Sequence, residues 1–289
     1  MRRIKITFLL LTFAALVAFK SDKPAYLLFN KEAKTVKYEK MLKVLEEADI
    51  VFFGELHNNP ICHWLQLEIT KDLFESKAEQ LVLGAEMFET DNQLLIDEYL
   101  NEDIKQSNFE KEVRLWNNYK TDYKPLLEFA KSNGLYFVAT NIPRRYASLV
   151  SNKGFEGLDS LSVEAKNYIA ELPISYDGEL SGYKDMLEMM KDMPHANNNI
   201  PKAQAAKDAT MAEFILKNWK EGELFLHYNG AYHSNDYQGI VWYLLQANPN
   251  LKIITISSVE QKDVKELDED YLNLADFILV TPESMTKTY

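Results

Sequence analysis

Glu55 and His57 stand two residues apart in Gly54-Glu55-Leu56-His57. His63 follows in the polar stretch Asn58-Asn59-Pro60-Ile61-Cys62-His63. A carboxylate beside an imidazole can fix the ring's tautomer and support general base work on water. Joined by a second carboxylate, the same donors could hold a divalent metal and a bound hydroxide. Glu86, in Gly84-Ala85-Glu86-Met87-Phe88, is that second carboxylate. Its apolar flanks predict partial burial, which demands a cation or donors, with Arg144, Arg145 and His57 as candidates. Arg144, after Thr140-Asn141-Ile142-Pro143, and His233, in Asn229-Gly230-Ala231-Tyr232-His233, could stabilise a developing oxyanion. Catalytic roles therefore fall to Glu55, His57, Glu86, Arg144 and His233. A metal would take Glu55, His57 and Glu86. The plain alternative is a buried polar network without activity.

Each of these groups follows an apolar run, and the runs predict the scaffold. Six of them, Ile50-Phe53, Leu81-Leu83, Leu135-Ala139, Leu224-Leu226, Ile253-Ile256 and Phe277-Val280, read as short buried strands with amphipathic helices between most of them. This is the pattern of an α/β, Rossmann-like, mostly parallel sheet of about six strands with helices on both faces. Parallel strands bring their carboxyl ends to one edge, where sites form. Pro60 suits the first position of a helix capped by Asn58 or Asn59. Gln204 and Asp208 lie four apart on a helix over Pro201–Trp219 and either line the site, as Asn141 and Asn229 at strand ends do, or form an exposed first turn where Asp favours the helix dipole. His227 alternates away from Tyr228 into the core. Cys62 shares a helix face with Leu65, Ile69 and Leu73, as an inert buried thiol would. Residues 21–289 read as one domain. Ser21 to Lys40 is polar and peripheral, and helical insertions at about 91–130 and 143–201 form a cap over the sheet.

The formal net charge of −12 argues against nucleic acid and anionic membrane surfaces, which need clustered Lys and Arg. Arg2, Arg3 and Lys5 precede an apolar stretch, Phe8 to Phe19, with small residues at Ala14, Ala15 and Ala18. Residues 1–20 therefore read as a secretory signal, and the protein as exported to the periplasm or cell envelope. No Cys near the cut could carry a lipid, and the single Cys62 allows no intrachain disulfide. The sequence contains no His-Glu-x-x-His, Gly-x-Ser-x-Gly, P-loop or Gly-x-Gly-x-x-Gly.

Gly54-Glu55-Leu56-His57, Gly84-Ala85-Glu86-Met87-Phe88-Glu89, Asn141-Ile142-Pro143-Arg144, Ala203 to Ala212 and Asn229-Gly230-Ala231-Tyr232-His233 together resemble the ChaN branch of the Tiki-like superfamily. The resemblance spans roughly residues 45–260. It implies a haem- or iron-binding uptake protein of the bacterial envelope, with haem held non-covalently at a homodimer interface and an outer-membrane receptor as a possible partner. Relatives across the superfamily imply the other reading, a metal-dependent or Glu/His-based hydrolase using Glu55, His57 and Glu86. Haem needs an apolar slot, an axial donor and a cation for its propionates. Candidate cofactor-binding residues are His63, Tyr232, Met190 and His195, the last closing a Met-rich run with Met186, Met189 and Met193.

Overall fold

The computed structural model describes residues 23–191 and 197–289. The signal reading of residues 1–20, together with Met193 and His195, lies outside the described residues.

A parallel strand covered on both faces has no solvent side, so its sequence is apolar nearly throughout. Strand β1 (Leu27–Asn30) and helix α1 (Tyr38–Leu45) lead into β2 (Ile50–Glu55), which is buried along its whole length. Helix α2 (Pro60–Lys77) carries the chain to β3 (Leu81–Glu89), also wholly buried. Helices α3 (Gln93–Leu100), α4 (Gln106–Glu112) and α5 (Lys124–Asn133) separate β3 from β4 (Phe137–Asn141). The stretch before β5 (Leu224–Gly230) is helical: α6 (Arg144–Lys153), the short α7 (Glu156–Asp159) and α8 (Val163–Lys166), then α9 (Ser181–Met190) and α10 (Ile200–Asn218). Helix α11 (Ile240–Ala247) precedes the last strands, β6 (Ile253–Gln261) and β7 (Phe277–Pro282).

The sheet has seven strands in the order β1-β7-β6-β2-β5-β3-β4. All neighbours are parallel except β1, which pairs antiparallel with β7 at the edge. The seventh strand corrects the reading of Ser21–Lys40 as peripheral. Only Leu28 and Phe29 of β1 are fully buried, too short a signal to register as a period-2 pattern. β6 also outruns its apolar stretch. Ser257, Ser258 and Gln261 continue it and are nonetheless buried.

Alternation along β2 divides the core. Val51 and Phe53 pack with Cys62, Leu65, Ile69 and Leu73 of α2. Ile50 and Phe52 pack with Met211, Ala212 and Ile215 of α10 and with α11. The buried Cys62 sits as the helix-face pattern predicts. The two insertions send their apolar side chains to different places. Phe109, Tyr119, Tyr123 and Leu126 join the α2-side core, whereas Ala147, Val150, Leu158 and Ile169 pack with Ala203, Ala206 and Ala209 of α10. The first insertion is therefore part of the main core, and among the described residues it shares no hydrophobic cluster with the second.

Register then places the polar groups. Glu55 at the end of β2 lies beside Gly230 at the end of β5. Between Ala85 and Glu89 the β3–β4 pairing shifts, so β3 advances further than β4. A bulge re-aims side chains next to it, and Glu86 lies within this one. Asn59 caps α2 by accepting from the backbone N–H groups of Ile61 (3.0 Å) and Cys62 (3.4 Å). Its amide donates to Glu260 and Thr281, both at 2.8 Å, tying the helix start to β6 and β7. Among the described residues no helix is long and apolar enough to cross a membrane.

Candidate functional site

Two hydrogen-bonded relays meet at Gly230. In the first, His57 Nδ1 donates to Glu55 Oε1 at 2.8 Å. Glu55 also accepts from the Tyr123 hydroxyl (2.7 Å) and from Gln66 Nε2 of α2 (2.5 Å), so its buried oxygens are engaged on every side. Behind His57, its carbonyl accepts from His63 Nε2 and from Asn118 Nδ2, both at 3.0 Å. In the second relay, Asp208 of α10 accepts from His233 Nδ1 at 2.5 Å and from the Tyr183 hydroxyl at 2.9 Å. The other nitrogen of His233 lies 3.2 Å from Glu86 Oε1, and Glu86 Oε2 accepts the Gly230 N–H at 2.7 Å. A Cβ on Gly230 would stand 2.8 Å from both Cε1 and Nε2 of His57, and 3.5 Å from Glu86 Oε2. Only glycine lets the two relays approach this closely. At Gly54 a Cβ would meet the Ala231 backbone at 2.9 Å, so β2 and the turn after β5 also touch only through glycine.

The electrostatics follow from these contacts. Burial alone would strip His233 of its proton, but Glu86 and Asp208 on either side outweigh it and hold the imidazolium, with a pKa raised to about 9. Burial works against the Glu86 carboxylate too, yet His233, His57 and the Gly230 N–H hold its pKa far below the usual carboxylate range. For His57, burial is opposed by the Glu55 hydrogen bond and by the Glu86 charge, and the net shift is upward. His227, by contrast, is wholly buried against Phe52 and Phe225, and burial lowers its pKa to about 4. It is a core imidazole bonded to Thr140 at 2.8 Å.

A cavity of about 810 Å3 opens over these relays at the carboxyl edge of β2 to β5. Its floor is Glu55, His57, Glu86, Gly230 and His233. Leu56, Trp116, Ile142, Ala147 and Met186 give it apolar walls, and Tyr232, Arg144, Lys207 and Tyr289 reach it from the sides. The His57 ring stands edge-on to Trp116, with centroids 4.9 Å apart. The volume suits a ligand of cofactor size.

The structure brings together Glu55, His57, Glu86, His233, Arg144, Asn141, Gln204 and Tyr232, all of which line the cavity. Asp208 stands directly behind it, bonded to His233. Five sequence-based expectations are corrected. His63 is buried behind His57 and near Asp122, at 3.4 Å, because the first turn of α2 points it inward. Asn229 is engaged with Ser234 and the Gly230 carbonyl and does not line the cavity. Met190 is half-buried off the wall, and Met186, one turn earlier on α9, faces the cavity instead. Arg144 does not serve Glu86 either. It pairs with Glu89 at 2.7 Å, and His233 serves Glu86. Among the described residues no three His, Cys, Asp or Glu side chains converge as a metal set would, so Glu55, His57 and Glu86 do not form one. Trp116, Tyr123, Gln66, Tyr183 and Lys207 were not singled out from sequence. Of these, Lys207 alone had a usable signal, three residues after Gln204 on the same helix face.

The family model described as haem-binding uptake, Tiki superfamily, ChaN matches residues 41–244, most of the chain. The chain belongs to this family. ChaN of Campylobacter jejuni, whose structure is described as showing cofacial haem binding, superposes with a TM-score of 0.69 at 17% identity, covering 90% of this chain and 98% of that one. A Bacillus cereus protein superposes with a TM-score of 0.50 at 12% identity, covering 84% of this chain and 90% of that one. At these identities the likenesses establish the α/β fold. The chloroplastic protein RETICULATA-RELATED 5 of Arabidopsis thaliana is 27% identical over 209 residues, 67% of this chain. The chain spans only 27% of that relative's length.

Proposed function

We propose that this ChaN-family protein binds haem in the carboxyl-edge cavity and serves haem or iron uptake. The observation that carries the reading is an apolar-walled cavity with two accessible donor side chains, His57 and Tyr232, in a chain of the haem-binding uptake family. Trp116, Ile142, Ala147 and Met186 supply the surface a porphyrin face would bury. Glu55 fixes His57 through Nδ1, the arrangement that orients an imidazole for ligation through its other nitrogen. Tyr232 lies on the lip, its hydroxyl donating to the Gly182 carbonyl and its pKa raised to about 12, by burial first and then by Asp185 and Asp208. Iron ligation by Tyr232 requires that bond to break. Export rests on the basic and apolar N-terminal stretch, and a receptor partner on family membership. A homodimer is favoured by exposed Leu187 and Met189 on α9 next to Met186.

Titrating haemin into the full chain tests the reading. A saturable Soret shift is expected, displaced in position by Tyr232→Phe or His57→Ala according to which atom meets the iron. No saturable shift refutes it. Ester or peptide hydrolysis abolished by His57→Ala, in a protein indifferent to haemin, would turn the assignment to a hydrolase built on the Glu55–His57 pair.

A further inference from the structure

The cavity's acids and bases are unequally engaged. Glu55 and Glu86 are held by the donors described above, and Glu89 is shared between Arg114 and Arg144, each at 2.7 Å. Asp91 is likewise shared by Arg114 and Arg145. Three guanidinium groups thus stand over two carboxylates. Arg144, at the start of α6, uses only Nε in its ion pair and is 64% exposed, so its two terminal nitrogens remain available beside the cavity it lines. That helix end adds its own positive field. Lys207, half-buried in the middle of α10, lines the same cavity, and its side chain makes no ion pair or hydrogen bond among the described residues. An unpaired cation held in a cavity wall is unusual in a chain with 44 acids against 32 Lys and Arg. Of these groups Arg144, Glu89 and Lys207 line the cavity, and two cations there face one carboxylate that Arg114 also neutralises from behind.

We propose that Arg144 and Lys207 form a carboxylate-binding pair that receives the two acidic side arms of the ligand and sets its orientation in the cavity. The proposal rests on the haem reading, where those arms are the propionates. Arg144 offers a planar fork suited to a carboxylate, and Lys207 offers a point charge from the facing helix. Glu89, itself held by Arg114, anchors the Arg144 guanidinium through Nε.

The test compares haemin with its dimethyl ester, in which both carboxylates are masked, on the wild-type chain and Lys207→Gln. The Lys207 side chain has no partner to orphan among the described residues, so this variant keeps the fold. Arg144→Lys retains a charge for Glu89 and serves as the second variant. Lys207→Gln should weaken haemin by about tenfold, the scale of one charge-assisted hydrogen bond. It should leave the diester unchanged, and it should flatten the salt dependence of haemin binding. Equal affinity of wild type for haemin and diester, with no effect of Lys207→Gln, overturns the carboxylate pair while leaving haem binding intact. No saturable Soret change with either compound overturns the haem reading and the pair with it.

Discussion

The Asp208–His233–Glu86 relay makes stability depend on pH in a defined window. The pKa of His233 moves from an ordinary 6.5 to about 9 in the folded chain. Each unit corresponds to about 1.4 kcal/mol, so the protonated ring stabilises the fold by ~3 kcal/mol. The folded value lies above the unfolded one. The stabilisation is therefore fully present below about pH 6.5 and is lost as pH rises through about 9. Asp208→Asn removes one of the two flanking charges while keeping an acceptor for Tyr183, and should cut both the shift and the pH-dependent stability by about half. Ring-proton NMR titration would follow His233, and urea unfolding at intervals from pH 6 to 10 would follow stability. An imidazole that titrates near 6.5 in both proteins, with unfolding free energies that run parallel across this range, would refute the relay.

Three further outcomes are expected. Gly230→Ala places a methyl 2.8 Å from the His57 ring. The ring must move, costing about 1–3 kcal/mol in urea unfolding and altering Trp116 fluorescence. Tyr123→Phe takes one of three donors from buried Glu55 and should cost about 1–3 kcal/mol, against no loss if the hydroxyl were solvated. The Cys62 thiol, pushed up to about 12 by burial, should resist thiol reagents at pH 8 in the folded chain and react fully in denaturant.

Much of the site was legible because sheet geometry translates sequence position into space. Glu55, His57, Glu86 and His233 follow apolar runs, and parallel pairing brings those ends together. Gln204 and Asp208 were legible for a similar reason, through helical spacing on α10. The sequence was silent wherever packing between distant elements decides. Tyr123 and Trp116 come from an insertion without a clean period, and reach Glu55 and His57 only because that insertion packs on the sheet. Glu86 and Glu89 are three apart in one strand, so alternation alone sends them to opposite faces, but which partners meet them there, His233 for one and the arginines for the other, is decided by packing. The same limit explains Arg144, a candidate partner for Glu86 from sequence and found on Glu89.

The most direct measurement is the position of iron in crystals of the full chain grown with haemin, located by its anomalous scattering. The expected result is an iron peak within the cavity bounded by His57, Trp116 and Tyr232, with the porphyrin's acidic arms toward Arg144 and Lys207. Iron bound elsewhere on the surface, with the cavity holding only solvent, would contradict it.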